Sequence, residues 1–127
     1  MEATIKSFTD LKVWQDSHKI TVQVYKITNQ FPTKEKYSLS SQICRASSSI
    51  GANIAEGFGR FHYKDKIRFF QNARGSAFEL QNHFYLARDL GYIDSETVSN
   101  LSEKINEVIM EINGLIRSMA EKLKEDH

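Results

Sequence analysis

The chain has 127 residues, 40% of them hydrophobic and 26% charged, and its 17 Lys and Arg against 16 Asp and Glu leave a formal net charge of +1. A single domain of this size buries roughly two-thirds of its unfolded surface, and the apolar content is sufficient for that core, which excludes global disorder. One proline and six glycines are too few for a loop-rich β sandwich or a collagen-like chain, and near-neutrality excludes a protein that wraps polyanions over its whole surface. A lone cysteine, Cys44, leaves no intramolecular disulfide and so no disulfide-stapled secreted domain. The N-terminal stretch lacks the apolar segment of a signal peptide, and no window is apolar enough to span a bilayer, so a cytoplasmic protein without a membrane partner is expected.

Charge is distributed unevenly. Residues 1–57 carry 7 basic and 5 acidic side chains, residues 58–93 carry 6 and 3, and residues 94–127 carry 4 and 8. The neutral total therefore conceals a basic middle and an acidic final segment.

Four stretches have helical periodicity. The first is predicted from Asp10, a suitable N-cap, to about Gln30, with Leu11, Trp14, His18, Tyr25 and Thr28 along one face and Val13, Ile20, Val24 and Ile27 along another. Phe31-Pro32 ends it, because a residue before proline avoids helical dihedrals. The second is predicted from Glu35 or Tyr37 to Glu56, with Leu39, Ile43, Ala46, Ile50 and Asn53 as its seam. It is rich in small residues (Ser47, Ser48, Ser49, Gly51, Ala52, Ala55), which admit a close neighbour. Gly57 and Gly59 are read as a left-handed C-cap.

The third helix, Tyr63 to Leu90, carries Phe70, Ala73, Ala77, Leu80, Phe84 and Ala87 at alternating spacings of three and four, with Gly91 at the position of a C′ glycine. The fourth starts after Asp94 and keeps the same alternation through Val98, Leu101, Ile105, Val108, Ile112, Leu115 and Met119, widened by Ile109, Ile116 and Leu123. Short connections make sequential helices antiparallel. The expected fold class is all-α: an up-down-up-down antiparallel four-helix bundle, one domain over residues 1–127 with 1–8 and 125–127 frayed.

Few catalytic or metal constellations can be assembled on this frame. Glu79 and His83 form an i,i+4 pair on the third helix, but a di-iron bundle needs a second such pair, and none exists. His18, on the first helix's apolar face, reads as a partly buried histidine rather than a ligand. Cys44 has only Ser40, Ser41, Ser47 and Ser48 as helical neighbours, none of them a base, so it reads as an inert, buried thiol. Gly57-Phe58-Gly59-Arg60 has neither phosphate-loop spacing. No enzyme activity, metal or cofactor is expected.

The informative cluster is Arg60, His62, Lys64, Lys66, Arg68 and Arg74 interleaved with Phe61, Tyr63, Phe69 and Phe70. Basic groups beside exposed aromatics suit phosphate and base contacts. The competing reading is a solvated face whose aromatics point into the bundle; Phe70 belongs to the seam, while Phe61 and Tyr63 are ambiguous. With Arg45 added, the candidate nucleic-acid contacts are Arg45, Arg60, Lys64, Lys66, Arg68 and Arg74.

Ser41-Gln-Ile-Cys-Arg-Ala46 and Ser49-Ile-Gly-Ala-Asn-Ile-Ala-Glu-Gly-Phe-Gly-Arg60, the opening Phe8-Thr-Asp-Leu-Lys-Val-Trp-Gln15, the Phe31-Pro32 break, Arg88-Asp-Leu-Gly-Tyr-Ile93 and Asn113-Gly-Leu-Ile-Arg117 resemble the four-helix-bundle proteins encoded in bacterial 23S rRNA intervening sequences. The likeness spans about residues 8–119. Gly51 stands where that family has proline, and His62 where it has Ser or Thr before the third helix. The resemblance implies a non-enzymatic protein that forms a homopentameric, barrel-like ring. It is also similar in fold to retroelement accessory proteins, which implies RNA or DNA, and a protein partner, as further partners. Helices with apolar or small residues on more than one face fit self-association independently. The alternative is a protein–protein adaptor that presents the acidic fourth helix, with Glu103, Glu107 and Glu111 at i,i+4 spacing.

Overall fold

Four helices, α1 (Lys12–Thr28), α2 (Leu39–Gly59), α3 (Tyr63–Asp89) and α4 (Ser95–Glu125), make up the fold, with 3-10 turns at Phe8–Asp10 and Thr33–Glu35 ahead of α1 and α2. The computed structural model describes residues 4–125, and among them there is no β-strand. The outermost parts of the two expected frayed ends, 1–3 and 126–127, lie outside the described residues; Phe8 already opens a 3-10 turn and α4 continues to Glu125.

Side chains that bridge the helices fix their directions. Between α1 and α2, Thr21 Oγ1 lies 2.9 Å from Ser47 Oγ and Thr28 Oγ1 lies 3.3 Å from Cys44 Sγ. Between α2 and α3, Ser76 Oγ donates to Ser49 Oγ, while Gly57 packs under the Phe70 ring. Between α3 and α4, Arg74 donates to Asn113 and Gln81 to Asn106. Lys12 reaches Glu111 and Lys104 reaches Gln23, which closes α1 on α4. On each pair, rising numbers on one helix meet falling numbers on the other. All four contacts are antiparallel, as the short connections predicted.

The α3 seam is buried as its periodicity required, through Phe70, Ala73, Ala77, Leu80, Phe84 and Ala87; the α4 seam is buried from Val98 through Leu101, Ile105, Val108 and Ile112, with Ile109 beside it, but beyond Ile112 the predicted Leu115, Ile116, Met119 and Leu123 are only half-buried. On α1 the buried stripe is Val13, Ser17, Ile20, Val24 and Thr28, which differs from the predicted pair of stripes. His18 is exposed, its ring stacked on Trp14 at 4.6 Å between centroids, and Tyr25 is exposed as well. Ser17 takes the inward place because a hydroxyl can return its hydrogen bond to Trp14 O one turn back at 2.9 Å. On α2 the seam takes Ile54 in place of Asn53 and continues to Gly57, with Asn53 turned aside to donate to Ser49 O.

Three boundary expectations are corrected. Asp10 does not cap α1; its carboxylate accepts from Lys6 N and Ser7 N and, with the Ser7 hydroxyl, closes the preceding 3-10 turn. α2 begins at Leu39, because the residues before it form the separate turn Thr33–Glu35, and it runs on to Gly59. Gly57 and Gly59 form no left-handed cap; Gly91, at φ 81°, is the one residue with positive φ among those described. There Gly91 N donates to Arg88 O and Tyr92 N to Ala87 O, the two bonds of a Schellman motif. A Cβ in that conformation is strained, so Gly91→Ala is expected to lower stability by about 1 kcal/mol. Thermal unfolding checks this, and an unchanged midpoint would contradict it. Asp94 caps α4 as read, accepting from Thr97 N at 2.7 Å.

Candidate nucleic-acid interface

The α2–α3 turn brings part of the predicted basic cluster together. α2 ends at Gly59, Arg60 is extended (φ −77°, ψ 147°), and α3 starts at Tyr63 without a side-chain cap from His62. Gly57 makes this close return possible, since a Cβ there would lie 2.6 Å from Phe70 Cε1. With the helices drawn together, the Arg60 and Arg68 guanidinium groups both lie over the Phe69 ring, 4.6 and 5.3 Å from its centroid. Planar, weakly hydrated guanidinium stacks well on an aromatic face and leaves its edge donors free for phosphate oxygens. Phe61, 90% exposed, stands beside them with its ring edge-on to His62. Tyr63 is half-buried, which separates the two residues the sequence left ambiguous.

Both arginines have carboxylate neighbours, Glu56 at 3.2 Å from Arg60 and Asp65 at 3.8 Å from Arg68. Exposed pairs like these contribute at most about 1 kcal/mol, so an arriving phosphate can displace them. Lys64 is exposed and joins no ion pair among the described residues.

The other predicted contacts are placed differently. Lys66 turns inward and donates to Phe58 O at 2.8 Å and Gly57 O at 3.3 Å, capping the carbonyl end of α2 in place of the glycine cap read from the sequence. Burial, then the nearby positive charge of Lys122, holds its ammonium below the usual lysine range. Arg74 is half-buried and bonds Asn113 Oδ1 at 2.7 Å, tying α3 to α4. Arg45 lies fifteen residues before Arg60 on the same helical run, about 22 Å along the axis, and belongs to the opposite half of the bundle. Lys122, in the last turn of α4, is brought close enough to act on the Lys66 charge by the antiparallel return of that helix.

The other side chains weighed in the sequence lie apart from this turn. Cys44 is half-buried against Thr28, and Glu79 Oε2 lies 3.5 Å from His83 Nε2. Among the described residues no group of three or more His, Cys, Asp or Glu is placed to hold a metal ion, and no helix is long and apolar enough to cross a membrane.

The family model described as 23S rRNA-intervening sequence protein matches residues 9–114. The chain belongs to that family. A solved structure of a protein of unknown function from the S23 ribosomal protein family of Bacteroides thetaiotaomicron superposes with a TM-score of 0.74 at 25% identity, over 82% of this chain and 97% of that one. No curated protein matches the chain. The family match covers both helices that build the basic turn, together with the α1 and α4 contacts behind it.

Proposed function

We propose that this intervening-sequence family protein is a non-enzymatic, cytoplasmic binding module for nucleic acid that works as a homo-oligomeric ring, pentameric by its resemblance to ring-forming bundles. The observation that carries the proposal is the pair of arginines held on Phe69 beside exposed Phe61 and Lys64. The ring holds the guanidinium groups at fixed positions before a ligand arrives, which lowers the ordering cost of binding. Repetition of the cluster around a ring would compensate for the low net charge of each chain through multivalency.

Self-association is supported by surface composition. Ser48, Ala52 and Gly59 leave an exposed face of α2 without bulk, and Phe78 and Met110 are exposed on α3 and α4. Light scattering at micromolar concentration is expected to give a multiple of the chain mass, and a monomer would contradict the ring.

Nucleic-acid affinity is expected to fall at least tenfold between about 50 and 200 mM salt, because each phosphate neutralised releases counterions. Arg60→Gln with Arg68→Gln should flatten that dependence. Absence of binding to RNA or DNA oligonucleotides at the lower salt would remove this reading in favour of the protein adaptor. That second reading has one specific support, exposed Met110 one and two turns along α4 from the exposed carboxylates Glu107 and Glu103, with Phe78 exposed on α3.

A further inference from the structure

At the opposite end of the bundle from the basic turn, the last turn of α1, the Phe31-Pro32 break and the first two turns of α2 enclose a groove of about 650 Å³. Tyr25, Tyr37, Lys36 and Arg45 line it, together with Ser41 and Cys44 of α2. Tyr37 is 88% exposed and Tyr25 48% exposed, so neither ring contributes fully to the core. The Lys36 ammonium lies 5.5 Å from the centre of the Tyr37 ring. No carboxylate lines the groove. Glu35, the acidic residue next to it in sequence, turns away to accept a hydrogen bond from Tyr92 Oη at 2.7 Å, which holds its carboxyl below the usual range.

Two exposed aromatic faces, two cations, a wall of hydroxyls and no negative charge make a concave site for a planar, anionic ligand. A volume of this order suits one or two nucleotides. A paired duplex cannot enter, since its bases are stacked inside it; an unpaired base can lie on tyrosine while its phosphate meets arginine and lysine. We infer that this groove binds an unpaired nucleotide segment of single-stranded nucleic acid, with Tyr37 and Tyr25 as stacking surfaces and Arg45 and Lys36 as phosphate contacts. The inference rests on the nucleic-acid reading above and adds a second, strand-selective site to it. It also gives Arg45, which the fold separates from the α2–α3 turn, a ligand of its own.

The test is fluorescence anisotropy with a labelled oligouridine of about twelve nucleotides and, separately, a blunt RNA duplex, at low salt. Tyr37→Ala and Arg45→Gln alter side chains on the groove and leave the core intact. Each is expected to weaken oligouridine binding about tenfold, at the lower end of what one base stack contributes, and to leave duplex binding unchanged. Cys44 reports directly: oligouridine should slow its reaction with a thiol reagent, and the duplex should not. If both variants bind oligouridine as the wild type does while Lys64→Gln with Arg60→Gln loses it, the groove inference is overturned and the nucleic-acid reading stands. If the wild type binds neither probe, both fall. If Cys44 is shielded by raising protein concentration without any oligonucleotide, a second copy occupies the groove and the inference is overturned.

Discussion

Gly57→Ala is expected to destabilise the protein by about 2–3 kcal/mol, although alanine is ordinarily the better helix former. Gly57 is inside α2, and an added Cβ would lie 2.6 and 2.9 Å from two carbons of the Phe70 ring and 3.2 Å from Phe69 Cβ. Phe70 is 3% exposed and packed in the core, so its ring cannot swing away without displacing its neighbours. The helix-propensity gain of up to about 1 kcal/mol is therefore outweighed by overpacking. For a domain of this length the loss corresponds to a fall in melting temperature of about 6–12 °C. Gly75→Ala is the matched control. Gly75 is exposed in the middle of α3 with nothing within 4 Å of the place an added methyl group would take, and alanine there should gain about 0.5–1 kcal/mol. Circular dichroism melts of the two variants should shift in opposite directions; a rise in both would show that α2 and α3 do not approach as described. Phe69 carries the two stacked arginines, so Gly57→Ala should also weaken nucleic-acid binding.

The bundle is legible in the sequence wherever one face of a helix meets one continuous core. On α3 and α4 the alternation of three and four names the buried residues directly, and Asp94 and Gly91 mark the turn between them because their cap geometries use local backbone atoms. The same reasoning misplaces Asp10, whose carboxylate is taken by the upstream amides of Lys6 and Ser7. It misassigns Gly57, since a glycine needed for close approach and one needed for positive φ look alike in sequence. The site is less legible because the direction of a long charged side chain is set by tertiary neighbours. Lys66 finds carbonyls eight and nine residues earlier, and Arg74 an amide thirty-nine residues later. Neither distance matches a helical period. Arg60 and Arg68 were recognisable as basic, but their common seat on Phe69 depends on how tightly the α2–α3 turn closes.

Glu111→Gln is expected to stabilise the protein at pH 8 by about 1–2 kcal/mol and to have little effect at pH 5. Glu111 on α4 faces Lys12 and Asp16 on α1, with Lys12 Nζ 2.6 Å from Asp16 Oδ2 and 3.4 Å from Glu111 Oε1. Burial first, then the hydrogen bond and charge of Asp16, push the Glu111 carboxyl from 4.5 up to about 7, and Lys12 offsets only part of this. Folding thus favours the protonated form. The stability this contributes is complete below the unfolded value of 4.5 and is lost as pH rises through about 7. Asp16 behaves in the opposite sense: hydrogen bonds from Lys12 and then Glu111 lower its carboxyl, so its contribution is present above 3.8 and lost as pH falls below that.

At face value the Glu111 displacement amounts to about 3.4 kcal/mol. Water at the edge of the contact and the opposing change at Asp16 reduce it to the smaller figure. Lys19, Lys104 and Glu107 flank the same α1–α4 groove but make no direct contact with this pair, so their charges tune the midpoint rather than the sign. Glutamine keeps an amide donor for Asp16 while removing the second negative charge. The measurement is the difference in melting temperature between variant and wild type across pH 5 to 8. A gain of about 3–8 °C at pH 8 that vanishes toward pH 5 is the expected result. A loss of equal size at both ends would mean that Glu111 acts simply as an ion-pair partner of Lys12. A gain confined to high pH means that the α1–α4 contact, the seam that closes the bundle, tightens when Glu111 takes up a proton.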